Sequence, residues 1–177
     1  CLMQMEAGLD TGPVLACVSC AIDADDTGSR LHDKLARQGA QLLAEHLDAL
    51  EHGALVPRPQ DAAQASYARK LEKSEARIDW SLPATELARM IRAFNSWPVA
   101  ETRFEGRQLR VWEAVPLPAD GNAAPGTVMS ATRDGIDVAC GSGCLRILRL
   151  QLPGARAVPA ADFINAHSME GACLGRE

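Results

Sequence analysis

Met3-Gln4-Met5-Glu6-Ala7-Gly8-Leu9-Asp10-Thr11-Gly12 runs directly into Pro13 and the apolar stretch Val14 to Ile22. The order is an extended segment, a glycine-flanked carboxylate and a second extended segment. Loops at strand ends carry reactive groups because a rigid scaffold positions them while solvent and substrate reach them. Asp10 is therefore the candidate catalytic residue, with Gly8 and Leu9 beside it. Leu9-Asp10-Thr11-Gly12 also fits the short aspartic-protease signature, in which two carboxylates share one proton. That mechanism needs a β-rich body around the motif, whereas Pro13 and then a long helical pattern follow here. The plainest alternative is a loop carboxylate that caps its own turn through Thr11 and Gly12.

Asp25, Asp26 and Thr27 supply N-cap chemistry for a long helix. Its apolar face is Leu31, Leu35, Leu42, Leu43, Leu47 and Leu50, at three- and four-residue spacings, and Gly53 is its stop. Strand, loop, strand and helix in this order read as the tail of an α/β domain over 1–53. Such a tail is too small to fold a doubly wound sheet alone, so its helix face is expected to lie exposed. The chain opens Cys1-Leu2-Met3 in an extended segment, and the groups that cooperate with Asp10 are expected upstream.

Residues 54–73, with Pro57 and Pro59 around Arg58 and a small polar run to Ser66, read as a linker. A second unit, 74–177, begins with a short strand at Ala76 to Trp80. Ser81 is the expected cap of a helix whose apolar face is Leu87, Met90, Ile91 and Phe94. Strand-like segments follow at Val99–Phe104, Gln108–Val115, Gly126–Ala131, Ile136–Ala139 and Leu145–Leu150. Turn residues separate them at Glu105-Gly106, Asp120-Gly121-Asn122, Asp134-Gly135 and Gly141-Ser142-Gly143. A short helix around Ala160–Ala166 closes the unit. Five or six short strands in about 100 residues point to a small β-barrel.

With 47% apolar and 23% charged residues the composition is that of a globular protein, and no apolar run of eighteen residues exists to span a membrane. The net charge of −5 divides unevenly: residues 1–65 carry ten acids and four bases, residues 66–177 thirteen acids and fourteen bases. Arg69, Lys70 and Lys73, with Arg89, Arg92, Arg103, Arg107 and Arg110, are candidates for following a phosphate backbone. Individually each also fits a solvated charge beside Glu72, Glu75, Glu101 or Glu105.

Cys17 and Cys20 lie three apart on an expected strand and face opposite sides, so they do not chelate one ion. Cys140 and Cys144 flank a turn. The six cysteines are read as reduced, with no metal site. Trp80 and Trp97 are expected in the core, and Trp112, alternating with Arg110, is the expected exposed aromatic.

Several segments in register resemble methionyl-tRNA formyltransferases: Met3 to Gly12, Tyr67-Ala68-Arg69-Lys70-Leu71, Glu75-Ala76-Arg77-Ile78-Asp79-Trp80 and Ile91-Arg92-Ala93-Phe94-Asn95-Ser96-Trp97-Pro98. Ala123 to Thr127 and Gly135 to Ala139 extend the match. The family more often has Asn-Pro-Trp-Pro where this chain has Asn95-Ser96-Trp97-Pro98. The resemblance implies a Rossmann-like catalytic domain, of which 1–53 is the remnant, then a linker and a C-terminal barrel of the oligonucleotide-binding type. It implies formyl transfer from 10-formyltetrahydrofolate, a co-substrate rather than a resident cofactor, to the amine of methionyl initiator tRNA. Asp10 matches the catalytic Asp. None of His32, His46, His52 or His167 lies in a context matching the family's His, and neither the catalytic Asn nor the folate loop is matched. The chain alone is thus expected to be inactive, and its parent a cytoplasmic monomer. A formyltransferase acting on an amino-sugar nucleotide or another small amine, and a non-catalytic RNA-binding module, remain as alternatives.

Overall fold

The computed structural model describes residues 1–118 and 123–176, so the expected turn at Asp120-Gly121-Asn122 lies outside the described residues. The chain separates into two compact units, residues 1–70 and 71–177.

In the first unit, β1 (Leu2–Met3) and β2 (Val14–Ala16) pair antiparallel, Leu2 opposite Ala16 and Met3 opposite Val14. β2 stops well short of the expected Ile22. Residues 17–27 make no ladder, and Cys1 and Cys17, carried past each other by the hairpin, form a disulfide. The expectation of reduced cysteines is corrected for that pair; Cys20, Cys140, Cys144 and Cys173 are free thiols. The hairpin's other edge is covered from 54–73: Val14 N–H donates to the Arg58 carbonyl at 2.8 Å and Arg58 N–H to the Val14 carbonyl at 2.9 Å. At least this part of the proline-rich stretch is fixed to the unit.

Helix α1 (Gly28–Glu51) starts where Thr27 Oγ1 accepts from the Arg30 N–H at 3.2 Å. It ends in a Schellman arrangement: Gly53 N–H donates to the Leu50 carbonyl and Ala54 N–H to the Ala49 carbonyl, with Gly53 at φ 63°. Asp26-Thr27-Gly28 is a second Asp-Thr-Gly in the sequence, and its place here removes the protease alternative's partner carboxylate. Thr27 is the helix cap, and Asp26 is bound to the Lys34 ammonium at 2.7 Å. That contact, with the Asp23 N–H, holds the Asp26 carboxyl below the usual carboxylate range. Of the leucine face only Leu42 is buried; Leu35, Leu43, Leu47 and Leu50 are exposed.

The second unit is an antiparallel sheet packed against α2 (Ala84–Ala93). Its strands are β3 (Glu101–Phe104), β4 (Arg107–Leu117), β5 (Val128–Thr132), β6 (Gly135–Ala139), β7 (Cys144–Gln151) and the short β8 (Val158–Pro159). The order is β3-β4-β7-β6-β5, with β8 also on β7. Alternation marks the middle of β4, where Leu109 and Val111 are fully buried and Arg110 between them is exposed; the register shifts after Val111, so that Ala114 is the next buried residue. They meet Leu87 and Ile91 of α2 and Ile136, Val138, Leu145, Ile147 and Leu150 of the sheet in one core. A short helix α3 (Ala160–Phe163) adds Phe163. On the β6–β7 ladder Arg146 donates from Nε and Nη2 to the two Asp137 oxygens, at 2.7 and 2.8 Å.

Among the described residues β3 and β5 are the outer strands of this order and do not pair with each other. The C-terminal strand-like strap spans them. Val128 N–H donates to the Ala172 carbonyl and Leu174 N–H to the Gly126 carbonyl, both at 2.8 Å; Gly175 N–H donates to the Arg103 carbonyl at 2.9 Å. Met169 and Leu174 are buried beneath it. The strap thus gives each sheet edge a main-chain partner, at Val128 of β5 and at the Arg103 carbonyl of β3.

Local expectations in the second unit fail at four places. Ala76 to Trp80 is no strand: Lys73–Ala76 is a 3₁₀ turn, and only Arg77 bridges to Glu101. Ser81 does not cap α2; its N–H and hydroxyl both donate to Asp79 Oδ1, and Pro83 stands at the N-cap. Trp97 is 55% exposed and not core, because the connection into β3 turns it outward. Trp112 is half-buried, its indole N–H held by Gln151 Oε1 at 2.9 Å. Trp80 is buried as expected.

Burial raises the Cys140 thiol to about 11, with the neighbouring Cys144 adding to the effect. The folded state then holds a proton that the unfolded chain releases near pH 9. The associated stability is complete below that pH and is lost as pH rises toward 11. At pH 8 about one Cys140 in a thousand is thiolate. Alkylation of the native chain, followed by mass spectrometry, is expected to modify Cys20 well before Cys140; equal rates would contradict the burial.

Candidate active-site loop and basic faces

The β1–β2 connection holds Asp10 in the left-handed region, at φ 53°. Non-glycine residues rarely adopt it, and Asp and Asn are the ones that do so at least cost. Two further features fix the loop. A Cβ at Gly12 would lie 1.7 Å from the Gln4 carbonyl oxygen, so only glycine fits there. The second feature comes from 48 to 50 residues downstream: Gln60 Nε2 donates to the Asp10 carbonyl at 2.8 Å and to the Gly12 carbonyl at 2.7 Å. The turn is tied by this amide. The Asp10 side chain is left exposed at the rim of an open cleft of about 680 Å³. Leu9, Thr11, Arg58, Gln60 and Tyr67 also line that cleft. Gly8 lies outside the lining and packs against Thr11.

Gln60 was not legible as a site residue. A glutamine between Pro59 and Asp61 looks like linker, and its two acceptors are remote in sequence. The only signal was its position just after a proline-bracketed arginine, which the structure turns into a strand-like bridge to Val14.

The basic candidates fall in both units. Arg69 and Lys70 are exposed in the first, where Arg69 Nη1 donates to the Lys70 carbonyl at 3.4 Å. Lys73, Arg89 and Arg110 are exposed in the second; Arg92 is half-buried and donates to the Ala88 carbonyl of its own helix. Sheet register places Arg110 between Glu101 of β3 and Gln151 of β7, and Arg103 opposite Gln108. Arg103 and Arg110 therefore share the outer sheet face, joined by Arg149, which pairs opposite Glu113. No motif in the sequence marks Arg149, which is exposed beside buried Leu150 near the end of β7. Among the described residues no cluster of three His, Cys, Asp or Glu side chains has metal-site geometry. None of the described helices is long and apolar enough to cross a membrane.

Residues 70–168 match the family model for the formyl transferase C-terminal domain. The chain belongs to the formyl transferase family. It is 54% identical over 167 residues to the methionyl-tRNA formyltransferase of Stenotrophomonas maltophilia (strain K279a), covering 94% of this chain and 54% of that protein. With the methionyl-tRNA formyltransferase of Methylococcus capsulatus (strain ATCC 33009 / NCIMB 11132 / Bath) it shares 51% identity over 174 residues, covering 98% of this chain and 56% of the relative. The chain thus spans about half the length of the curated relatives it matches. Among solved structures, HypX from Aquifex aeolicus in complex with tetrahydrofolic acid is similar in fold, with a TM-score of 0.67 at 20% identity over 92% of this chain and 29% of that one.

Proposed function

We propose that this chain is part of an enzyme that transfers a formyl group from 10-formyltetrahydrofolate to the amino group of methionyl initiator tRNA. The observation that carries the reading is identity above 50% along nearly the whole chain to relatives named for that activity. In this reading the first unit is the end of a Rossmann-like catalytic domain. The second is a barrel-like tRNA-holding domain, its open sheet bridged by the C-terminal strap. The HypX complex adds that a protein of similar fold holds a folate. The protein acts as a cytoplasmic monomer, and the folate is consumed rather than kept.

In the transfer, the amine nitrogen attacks the formyl carbon, the carbon–N10 bond of the folate breaks, and the amine loses a proton. A tetrahedral intermediate with a developing oxyanion lies between. Asp10, exposed on a turn held by Gln60, orients and stabilises a histidine cation or takes the proton through water. The Asn and His of the centre have no match in this chain, which spans 54% of the Stenotrophomonas relative's length. The 177-residue chain by itself is therefore inactive; formylation by it near the rate of the complete enzyme would contradict this.

Arg69, Lys70, Lys73, Arg89, Arg92 and Arg110 follow the tRNA backbone, which positions it without reading sequence. Each phosphate contact contributes about 0.7–0.9 to the slope of log affinity against log salt. Replacing Arg69, Lys70 and Lys73 together by Ala in the complete enzyme is expected to weaken tRNA binding and to flatten that slope by about 2. An unchanged slope in filter-binding titrations would remove the three residues from the interface. Comparing Met-tRNA with an amino-sugar nucleotide as acceptor tests the reading as a whole. Formylation of the sugar nucleotide alone would replace it.

A further inference from the structure

We infer that Gln60 is a positioning residue for Asp10, an inference that rests on the formyl-transfer reading for its kinetic consequences but not for its geometry. A carboxamide carries two N–H donors, and Gln60 places both across one turn, on the Asp10 and Gly12 carbonyls at 2.8 and 2.7 Å. The turn needs such a clamp. Asp10 sits at φ 53°, a conformation that for a non-glycine residue persists only where its surroundings hold it.

The clamp is itself anchored. Two residues earlier, Arg58 exchanges both backbone hydrogen bonds with Val14. On the other side of the loop, the Gln4 N–H donates to the Pro13 carbonyl at 3.0 Å, and the Gln4 carbonyl leaves no space for a side chain at Gly12. The Asp10 backbone is thus fixed between a hairpin and the 58–60 segment, while its carboxylate projects free of that clamp into the cleft. This separates holding from reacting: Gln60 donates to two backbone carbonyls and also reaches the Met3 sulfur at 3.5 Å, all uncharged partners, so it sets where the carboxylate stands without sharing its charge.

The chemistry makes the residue type specific. Glutamate has nearly the same shape but, ionised, brings only acceptors against two carbonyl oxygens. Asparagine keeps the donors and falls one methylene short. A displacement of about 1 Å in a catalytic group is enough to cost about 10²-fold in rate.

Two measurements test the inference. In the 177-residue chain, Gln60→Glu is expected to shift and broaden the backbone amide resonances of Asp10, Thr11 and Gly12 while leaving those of α1 and the second unit in place. Sharp, unshifted loop resonances would overturn the clamp whatever the enzyme does. In the complete enzyme, Gln60→Glu is expected to lower kcat about 10–100-fold with KM for Met-tRNA and for the folate within about twofold. The same change made on Asp10→Asn is expected to have little further effect, since both act through one group. A full additional loss in that background, or a fall expressed in KM alone, would assign Gln60 a merely structural or binding role. If the glutamate variant fails to fold, Gln60→Asn carries the same kinetic comparison. A wild-type enzyme that formylates only another amine would defeat the tRNA reading, and the same kcat comparison on that amine would still decide the role of Gln60.

Discussion

Asp10→Asn in the complete enzyme is expected to lower kcat for formyl transfer about 10²–10⁴-fold, the usual cost of losing a positioned acid–base group. The substitution is informative because of the backbone at this point. Asn is the residue that best tolerates the left-handed φ of 53° that Asp10 adopts, so the turn and its Gln60 clamp are kept and only the charge is lost. Asp10→Ala would instead add backbone strain to the chemical defect. Affinity for Met-tRNA, measured separately, is expected to hold within about twofold. A D10N enzyme with near-normal kcat would make Asp10 a turn residue and nothing more.

The second large effect concerns stability. Trp80→Ala is expected to destabilise the second unit by about 3–5 kcal/mol, the range for truncating a buried Trp. Its indole N–H donates to Thr102 Oγ1 at 3.0 Å, and Thr102 is the one buried polar side chain of that core among the described residues. Gly126 and Gly175, both at positive φ, approach the ring so closely that their Cβ positions would stand 3.4 and 3.2 Å from its Cδ1. The indole therefore supports the strap that spans the two sheet edges. Trp80→Phe keeps most of the volume but leaves Thr102 unpaired, a loss of about 1–3 kcal/mol. Thermal unfolding followed by circular dichroism is expected to show a midpoint lower by about 12 °C or more for the alanine variant. A shift under about 4 °C would mean the strap is not held by Trp80.

What the sequence disclosed divides by the range of the interactions involved. The ends of α1 were legible because Thr27 and Gly53 act within their own turn. The strands of the second unit were legible because a two-residue alternation survives wherever one face is buried, as at Leu109 to Val111. The disulfide depends on a register set by two short strands, and nothing local marks Cys1 and Cys17 as partners. Ser81 has good cap chemistry, yet a nearer acceptor at Asp79 takes its hydroxyl. Trp97 has core composition around it but lies in the connection before β3 with its side chain exposed, while Val99 two residues on is buried. At the candidate site, the exposed loop position of Asp10 between two short strands was legible from motif and context. Gln60 was not, because its acceptors lie on another strand connection. The C-terminal strap has no periodicity to read, since its residues are fixed by backbone bonds to Val128, Gly126 and Arg103.

The most direct test is a single assay: formyl transfer from 10-formyltetrahydrofolate by the complete enzyme and its D10N variant, with Met-tRNA and an amino-sugar nucleotide offered as competing acceptors. The account predicts formyl-methionyl-tRNA as the product, lost with D10N while tRNA binding persists. Preferential formylation of the sugar nucleotide, or an undiminished rate in the variant, would contradict it.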